Sequence, residues 1–202
     1  MSARCLVATL SLLVLVLATL SPTTMAGDNE SLTASYRAKG QAGLDRLQQS
    51  EMQQACSGPV GMEVAADVAT KIQKAAMDGV VLPADGKLLG QWEKGQKIAQ
   101  TGTGMQSSDD PATPNGGNCY ACHQLAPEEI SFGTLGPSLA GYGKIRGQSE
   151  AMLKYTWTRI WNSHAYSACS HMPRFGDAKI LTEEQIRDVM AFLFDPASPV
   201  NK

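Results

Sequence analysis

Apolar residues recur at helical spacing in five stretches of the chain, and segments rich in glycine, proline and polar residues separate these stretches. The clearest stripe joins Ile186, Val189, Met190 and Leu193 at positions i, i+3, i+4 and i+7. This is the spacing of one face of an α-helix. The same periodicity predicts helices over residues 31–56, 62–77, 90–101, 150–162 and 182–194.

The segments between the predicted helices lack the alternation of apolar and polar residues that indicates a β-strand. Residues 101–118, 124–148 and 162–179 are predicted to be long loops because glycine, proline and small polar residues interrupt them. Gly40 and Gly43 lower the helical propensity in the middle of the first helix. We therefore predict an all-α fold.

The first 26 residues have the organisation of a secretory signal peptide. Arg4 supplies the positive charge, a mainly apolar stretch runs from Leu6 to Leu20, and Thr24 and Ala26 are the small residues of a cleavage site. We expect cleavage after Ala26 and export to the periplasm, with an uncleaved N-terminal anchor as the alternative. A lipid anchor on Cys5 is disfavoured because Cys5 precedes the apolar stretch.

Removal of residues 1–26 leaves a mature chain of 176 residues with a formal charge of −3, since Arg4 is the one charged residue removed. Such mild acidity gives no support for nucleic-acid binding, and no mature segment has the length and apolarity of a membrane span. We predict a helical N-terminal extension over residues 27–86 and a second domain over residues 87–202. The extension is interpreted as a packing hairpin, with a partner-binding surface as the alternative.

One pentapeptide, Cys119-Tyr120-Ala121-Cys122-His123, carries the most specific chemical signal in the chain. C-x-x-C-H is the attachment signature of c-type haem, in which both thiols form thioethers with the haem and the histidine ligates iron. A zinc half-site would need a second close pair of ligands, and a thioredoxin-like redox pair would follow a strand. We therefore predict one covalently bound haem c, held by Cys119 and Cys122, with His123 as an axial iron ligand.

A second axial ligand is expected in the loop before the last helix, because electron-transfer haems usually use methionine or histidine there. Met152 and Met190 lie in predicted helices, where core packing explains them, whereas Met172 lies in the loop. We predict that Met172 is this ligand, with His164 and His171 as competing candidates.

The surroundings of the iron give two further expectations. A proximal histidine commonly donates its second ring N–H to a backbone carbonyl, and the rigid turn at Pro137 is a candidate for presenting that carbonyl to His123. An ordinary turn would have the same sequence. Trp157 and Trp161 are expected either to cover the haem edge or to pack in the core.

Two cysteines of the mature chain, Cys56 and Cys169, remain after the haem has taken the other two. In an oxidising compartment such thiols usually form a disulfide. We predict a Cys56–Cys169 disulfide that joins the extension to the second domain. The alternative is two separate thiols, with Cys169 reactive because it lies near the predicted ligand loop.

Residues 90–194 resemble a class I cytochrome c domain. The residues that carry the resemblance are Gly95, Cys119 to His123, Gly136-Pro137-Ser138-Leu139, Met172-Pro173 and Val189-Met190-Ala191-Phe192-Leu193. It implies that the first and last helices of this domain cross, with Gly95 facing Phe192 or Leu193. It also implies that the carbonyl of Pro137 accepts the hydrogen bond from His123.

A narrower resemblance is to SoxX, the monohaem subunit of the SoxAX cytochromes of bacterial thiosulfate oxidation. It is carried by Gly117 to His123, Gly136 to Leu139, Tyr142-Gly143, Arg146, His171 to Gly176 and Leu181-Thr182. It implies a complex that joins thiosulfate to a carrier-protein cysteine, with catalysis in a SoxA-like haem subunit. This chain, with no catalytic residue of its own, would pass the electrons to a soluble cytochrome c. The long extension departs from the shortest members of that family.

Three other functions are compatible with parts of the pattern. A free-standing periplasmic electron shuttle would share the fold and both axial ligands. A peroxidase or gas sensor would need an iron that Met172 does not bind. A haem-free structural protein would leave the C-x-x-C-H motif unused.

Overall fold

The computed structural model describes residues 33–58 and 63–202, in which Arg37–Lys202 form one compact unit. The predicted signal peptide, residues 1–26, lies outside the described residues. Within them the secondary structure is helical and contains no β-strand, so the predicted all-α fold is confirmed. The α-helices are α1 (Glu51–Cys56), α2 (Ala66–Asp78), α3 (Trp92–Gln100), α4 (Tyr142–Arg146), α5 (Glu150–Trp161) and α6 (Glu183–Phe194). Four 3-10 helices cover Leu44–Leu47, Cys119–Ala121, Ser163–Ala165 and Pro199–Asn201.

The single helix predicted over residues 31–56 is wrong. Gly40 has a φ of 54°, a left-handed conformation that glycine adopts readily, and Lys39 and Ala42 exchange backbone hydrogen bonds of 3.1 and 2.9 Å across the turn. The chain forms the 3-10 helix Leu44–Leu47 and becomes α-helical again at α1, where Ser50 and Gln53 form a reciprocal capping box. The turn and the new cap together divide the predicted helix.

The loop predicted over residues 124–148 is also wrong in one part, because it contains α4. Gly141 precedes this helix in a left-handed conformation, with a φ of 71°. Tyr142 then packs edge-on against Phe194, with the ring centroids 5.3 Å apart. Helix α4 was not predicted because its sequence is rich in glycine. The contact between Tyr142 and Phe194, rather than local helical propensity, stabilises it.

Helices α3 and α6 cross in close contact at Gly95. A Cβ atom added at Gly95 would overlap the backbone of Asp188 and lie 2.8 Å from Cβ of Phe192. The predicted approach of Gly95 to Phe192 is therefore confirmed. The buried Asp188 carboxylate also accepts a 2.8 Å hydrogen bond from the backbone N–H of Gln91, the residue that precedes α3.

Helices α5 and α6 begin at side-chain caps and contribute most of the apolar core. Ser149 accepts a hydrogen bond from the backbone of Met152 at the start of α5, and Thr182 forms a capping box with Gln185 at the start of α6. Each such cap contributes on the order of 1 kcal/mol. The main core cluster is Leu88, Trp157, Ile160, Phe175, Leu181, Ile186, Val189, Met190, Leu193 and Phe194.

The link after α2 is attached to α5 by two tryptophans. The indole N–H of Trp157 donates to the carbonyl of Val81 at 2.9 Å, and that of Trp161 donates to the carbonyl of Gly79 at 3.1 Å. The two rings stack with centroids 6.1 Å apart. The part of the predicted extension that follows α2 therefore packs directly on the rest of the unit.

Candidate haem site

The C-x-x-C-H motif is positioned by the end of α3. Gly117 donates to the carbonyl of Ile98 at 2.8 Å, and Asn118 donates to the carbonyl of Thr101 at 2.9 Å. Asn118 has a φ of 48°, a left-handed conformation that asparagine tolerates better than most residues. The chain turns there into the 3-10 helix Cys119–Ala121, and His123 donates its backbone N–H to the carbonyl of Cys119 at 2.9 Å.

The imidazole of His123 is oriented by the turn at Pro137. The His123 Nδ1 atom lies 2.7 Å from the carbonyl oxygen of Pro137. Two backbone hydrogen bonds of 2.8 Å hold this turn in place, from Gly136 to Cys122 and from Leu139 to Gln124. The predicted Pro137 partner is confirmed, and the arrangement leaves Nε2 of His123 available to a metal.

A largely apolar cavity lies between the motif, the loop before α6 and the faces of α3, α5 and α6. Its wall combines Cys119 and His123 with apolar side chains from every surrounding element. The lining residues are Ala99, Cys119, His123, Leu125, Leu139, Ile160, Met172, Phe175, Leu181, Val189, Phe192 and Leu193. Such a wall favours a flat, hydrophobic ligand that bears few polar groups.

Met172 reaches this cavity from the loop between α5 and α6. The Ser163 hydroxyl donates to the carbonyl of Met172 at 2.8 Å, and the Met172 N–H donates to the Ser170 hydroxyl at 3.2 Å. The rival histidines, both among the described residues, do not line the cavity. His171 is exposed, and the ring of the buried His164 hydrogen-bonds the carbonyl of Ala168.

The two cysteines of the motif are free thiols. Cys119 lines the cavity, whereas Cys122 does not. Burial raises the pKa of the Cys119 thiol to about 12, with a smaller contribution from the neighbouring Cys122. A thiol that stays protonated at neutral pH is unsuited to thiolate redox chemistry. No group of three or more His, Cys, Asp or Glu side chains within residues 33–58 and 63–202 is arranged to hold a metal ion by itself.

These residues fit a c-type haem. The motif supplies two free thiols, His123 has Nε2 available, Met172 lies on the wall of the same cavity, and the rest of that wall is apolar. When bound, a haem supplies a one-electron couple between ferric and ferrous iron. The protein orients the imidazole through Pro137 and places Met172 on the wall of the same cavity, whose apolar side chains exclude water.

The predicted disulfide is present in the structure. Cys56 of α1 and Cys169 are joined by a 2.09 Å S–S bond, with Cα atoms 5.5 Å apart. The alternative of two separate thiols is therefore wrong. The bond connects residues 113 positions apart and lies three residues before Met172.

Of the two alternatives for Trp157 and Trp161, packing in the core is confirmed, since Trp157 belongs to the main core cluster and Trp161 packs against it. The α5 residue on the cavity wall is Ile160. Ser163, which orients the Met172 loop, was not predicted, because no local pattern distinguishes this serine. Phe175 and Leu181 were not predicted as cavity residues either. The available signal was their place between Met172 and the start of α6.

Comparisons with known proteins agree with this geometry. The family model for cytochrome c matches residues 92–195. The chain is also similar to an uncharacterized lipoprotein of Aquifex aeolicus (strain VF5), with 39% identity over 160 residues, covering 76% of this chain and 73% of the relative. The chain belongs to the cytochrome c family. Its chemistry is accordingly electron transfer by covalently bound haem c.

No helix in the described part of the chain is both long and apolar enough to cross a membrane.

Proposed function

We propose that this chain is the monohaem electron-transfer subunit of a periplasmic thiosulfate-oxidising complex of the SoxAX type. The observation that carries the electron-transfer role is the presence of His123 and Met172 on the wall of one apolar cavity. Two protein ligands would close the iron to substrates and small gases. A closed iron is suited to passing electrons rather than to peroxidase or gas-sensing chemistry.

The proposed attachment uses the motif residues in the usual roles. Cys119 and Cys122 would form the two thioethers, and His123 and Met172 would hold the iron. Pro137 fixes the His123 ring through the 2.7 Å contact with Nδ1. The sequence contains one C-x-x-C-H motif, which supports a single haem.

The narrower SoxX assignment rests on the sequence resemblance, and the geometry supports it at several positions. Leu139 of the Gly136-to-Leu139 segment, Met172 and Phe175 of the His171-to-Gly176 segment, and Leu181 all line the cavity. These shared segments thus each contribute to the wall of the haem site. The match to the cytochrome c family by itself does not distinguish thiosulfate oxidation from other pathways that use a cytochrome c.

In the proposed reaction, thiosulfate and a carrier-protein thiol form one S–S bond and release one proton and two electrons. A SoxA-like haem subunit would hold the reacting groups and catalyse bond formation. This chain would accept the electrons one at a time, because one haem iron stores one electron, and would pass each to a soluble cytochrome c. No residue of this chain needs to touch thiosulfate.

The periplasmic location is part of the proposal. The signal-like N-terminus supports export, as does the description of the Aquifex relative as a lipoprotein. An oxidising compartment also suits the Cys56–Cys169 disulfide.

The test is reconstitution of thiosulfate-dependent electron transfer from purified parts. The mature holoprotein is combined with the SoxA-like subunit, the carrier protein and oxidised soluble cytochrome c of the same organism. We expect a stable heterodimer and a rate of cytochrome c reduction that depends on this chain. A Met172→His variant, which retains a haem ligand, is expected to slow the transfer by lowering the reduction potential.

Two results would contradict the proposal. Thiosulfate-dependent reduction that is equally fast without this chain would exclude the subunit role. A chain that stays monomeric and exchanges electrons with unrelated cytochromes at similar rates would instead be a free-standing shuttle.

A further inference from the structure

Two long loops lead to residues of the haem cavity, and one segment of the extension contacts both. Residues 101–118 lead into Cys119, and residues 162–173 end at Met172 and Pro173. The segment 37–56 ends with α1. Its N-terminal part contacts the first loop, and its last residue, Cys56, is bonded to the second loop. We call residues 37–56 the strap.

The N-terminal part of the strap is attached to the first loop by hydrogen bonds. The Gln41 side chain donates to the carbonyl of Gly104 at 3.0 Å, and the Arg46 guanidinium donates to the carbonyl of Met105. Gly40 approaches the backbone of Ser107 so closely that a side chain at Gly40 would overlap it. These contacts attach the strap to the loop that leads into the C-x-x-C-H motif.

The C-terminal end of the strap is attached to the second loop by the Cys56–Cys169 disulfide. Helix α1 has no fully buried residue, and only Met52 and Cys56 are half-buried, so apolar packing contributes little to its attachment. The covalent bond is therefore the principal attachment of this end. It acts on the loop three residues before Met172.

The loop also receives support from α2, the next helix of the extension. The Gln73 side chain donates to the carbonyl of Tyr166 at 3.3 Å. Helix α2 packs against the 3-10 helix Ser163–Ala165, where Ser163 holds the carbonyl of Met172. The extension thus contacts the Met172 loop twice, through α2 near the start of the loop and through the disulfide at Cys169.

We propose that the strap is a positioning element for Met172, and that the Cys56–Cys169 disulfide is its essential contact. The disulfide restricts the loop to conformations in which the thioether lies in the cavity, which reduces the entropy lost when Met172 binds. Without it, the loop populates open conformations and the iron becomes accessible to added ligands. This inference rests on the axial ligation proposed above.

The test compares carbon monoxide binding to the ferrous holoprotein with the disulfide intact and reduced. A small dithiol supplies two electrons and two protons to the disulfide and is itself oxidised to a cyclic disulfide, while the haem thioethers are unaffected. We expect carbon monoxide to bind on the order of tenfold faster after reduction, the size of a typical coupling between sites. In the ferric state of the haem, the protein with the reduced disulfide should lose intensity in the weak long-wavelength absorbance band of methionine-ligated haem.

Variants separate positioning from general destabilisation. Cys56→Ser with Cys169→Ser should reproduce the effect of reduction, and Gln41→Ala with Arg46→Ala should give a smaller change in the same direction with the disulfide intact. Gln54→Ala is the matched control, since this exposed α1 side chain contacts the strap carbonyl of Gln49. It should leave carbon monoxide binding unchanged.

The outcomes distinguish the strap from the ligation on which it rests. If Met172 ligation and the carbon monoxide rate are the same with and without the disulfide, the positioning role is overturned and the ligation stands. If the untreated protein shows no Met172 ligation, the proposed ligation is overturned and the strap inference falls with it.

Discussion

The carbonyl oxygen of Pro137 lies 2.7 Å from Nδ1 of His123. A carbonyl only accepts hydrogen bonds, so Nδ1 carries the imidazole proton and the lone pair of Nε2 is free for iron. The turn that presents Pro137 is held by backbone hydrogen bonds to Cys122 and Gln124, on either side of His123. The protein itself thus sets the tautomer of His123.

The first prediction concerns Gly136, whose missing side chain makes room for the His123 ring. A Cβ atom at this position would overlap the imidazole, so Gly136→Ala should rotate the ring away from Pro137. We expect a loss of about 1–3 kcal/mol in the free energy of unfolding and a lower yield of haem-loaded protein. Denaturant titration and haem quantification measure the two effects.

Gly58→Ala is the control for Gly136→Ala, because a Cβ atom at Gly58 meets no atom within 4 Å. It should change the free energy of unfolding by less than about 0.5 kcal/mol. Equal behaviour of the two variants would mean that Gly136 does not make room for the imidazole.

The second prediction concerns the identity of the distal ligand. Met172→His should lower the reduction potential because thioether ligation favours ferrous iron more than imidazole does. Met152→Leu, a half-buried methionine of α5 outside the cavity wall, should leave the potential unchanged. A potentiometric titration of the three holoproteins decides the matter, and equal potentials would exclude Met172 as ligand.

The third prediction tests the contact between α3 and α6. Gly95→Ala would place a Cβ atom against the Asp188 backbone and Phe192, so the helices would have to separate. We expect a loss of about 1–3 kcal/mol or more, measured as a lower denaturant midpoint. The exposed Lys97→Ala on the same helix should shift stability by no more than about 0.5 kcal/mol.

The fourth prediction is a pH dependence of stability from the pair formed by Asp85 and Arg187. The guanidinium donates to both carboxylate oxygens at 2.9 and 2.8 Å and lowers the pKa of Asp85 below its ordinary value of 3.8. Because the folded-state pKa is depressed, the pair stabilises the protein above pH 3.8, and this contribution disappears as the pH falls through the lowered pKa.

Asp85→Asn tests this dependence directly. The difference in unfolding free energy between wild type and variant should be small but measurable near neutral pH, since the pair is exposed, and should vanish in strong acid. A difference that stays constant from neutral to strongly acidic pH would contradict the assignment.

The sequence predicted the elements in which helical periodicity and a cap agree. Helices α5 and α6 agree with the ranges 150–162 and 182–194 that periodicity predicted, and each begins at a side-chain cap, Ser149 and Thr182. The haem motif and the role of Met172 could also be predicted from the sequence, because their chemistry depends on residue type and spacing.

Elements stabilised by tertiary contacts could not be predicted in the same way. The segment around Gly40 resembles a weak helix until the left-handed turn and its contact with Ser107 are known. The directions of Trp157 and Trp161 depend on the carbonyls of Val81 and Gly79, which lie 76 and 82 residues away in sequence. Local periodicity carries no information on such contacts.

The central claim is that His123 and Met172 both ligate the haem iron, and proton NMR of the ferrous holoprotein tests it most directly. The ring current of the porphyrin shifts the side-chain protons of an axial methionine far upfield. We predict one such methionine in the wild type, retained in Met152→Leu and absent in Met172→His. A wild-type spectrum without an upfield methionine, or one whose signal persists in Met172→His, would contradict the account.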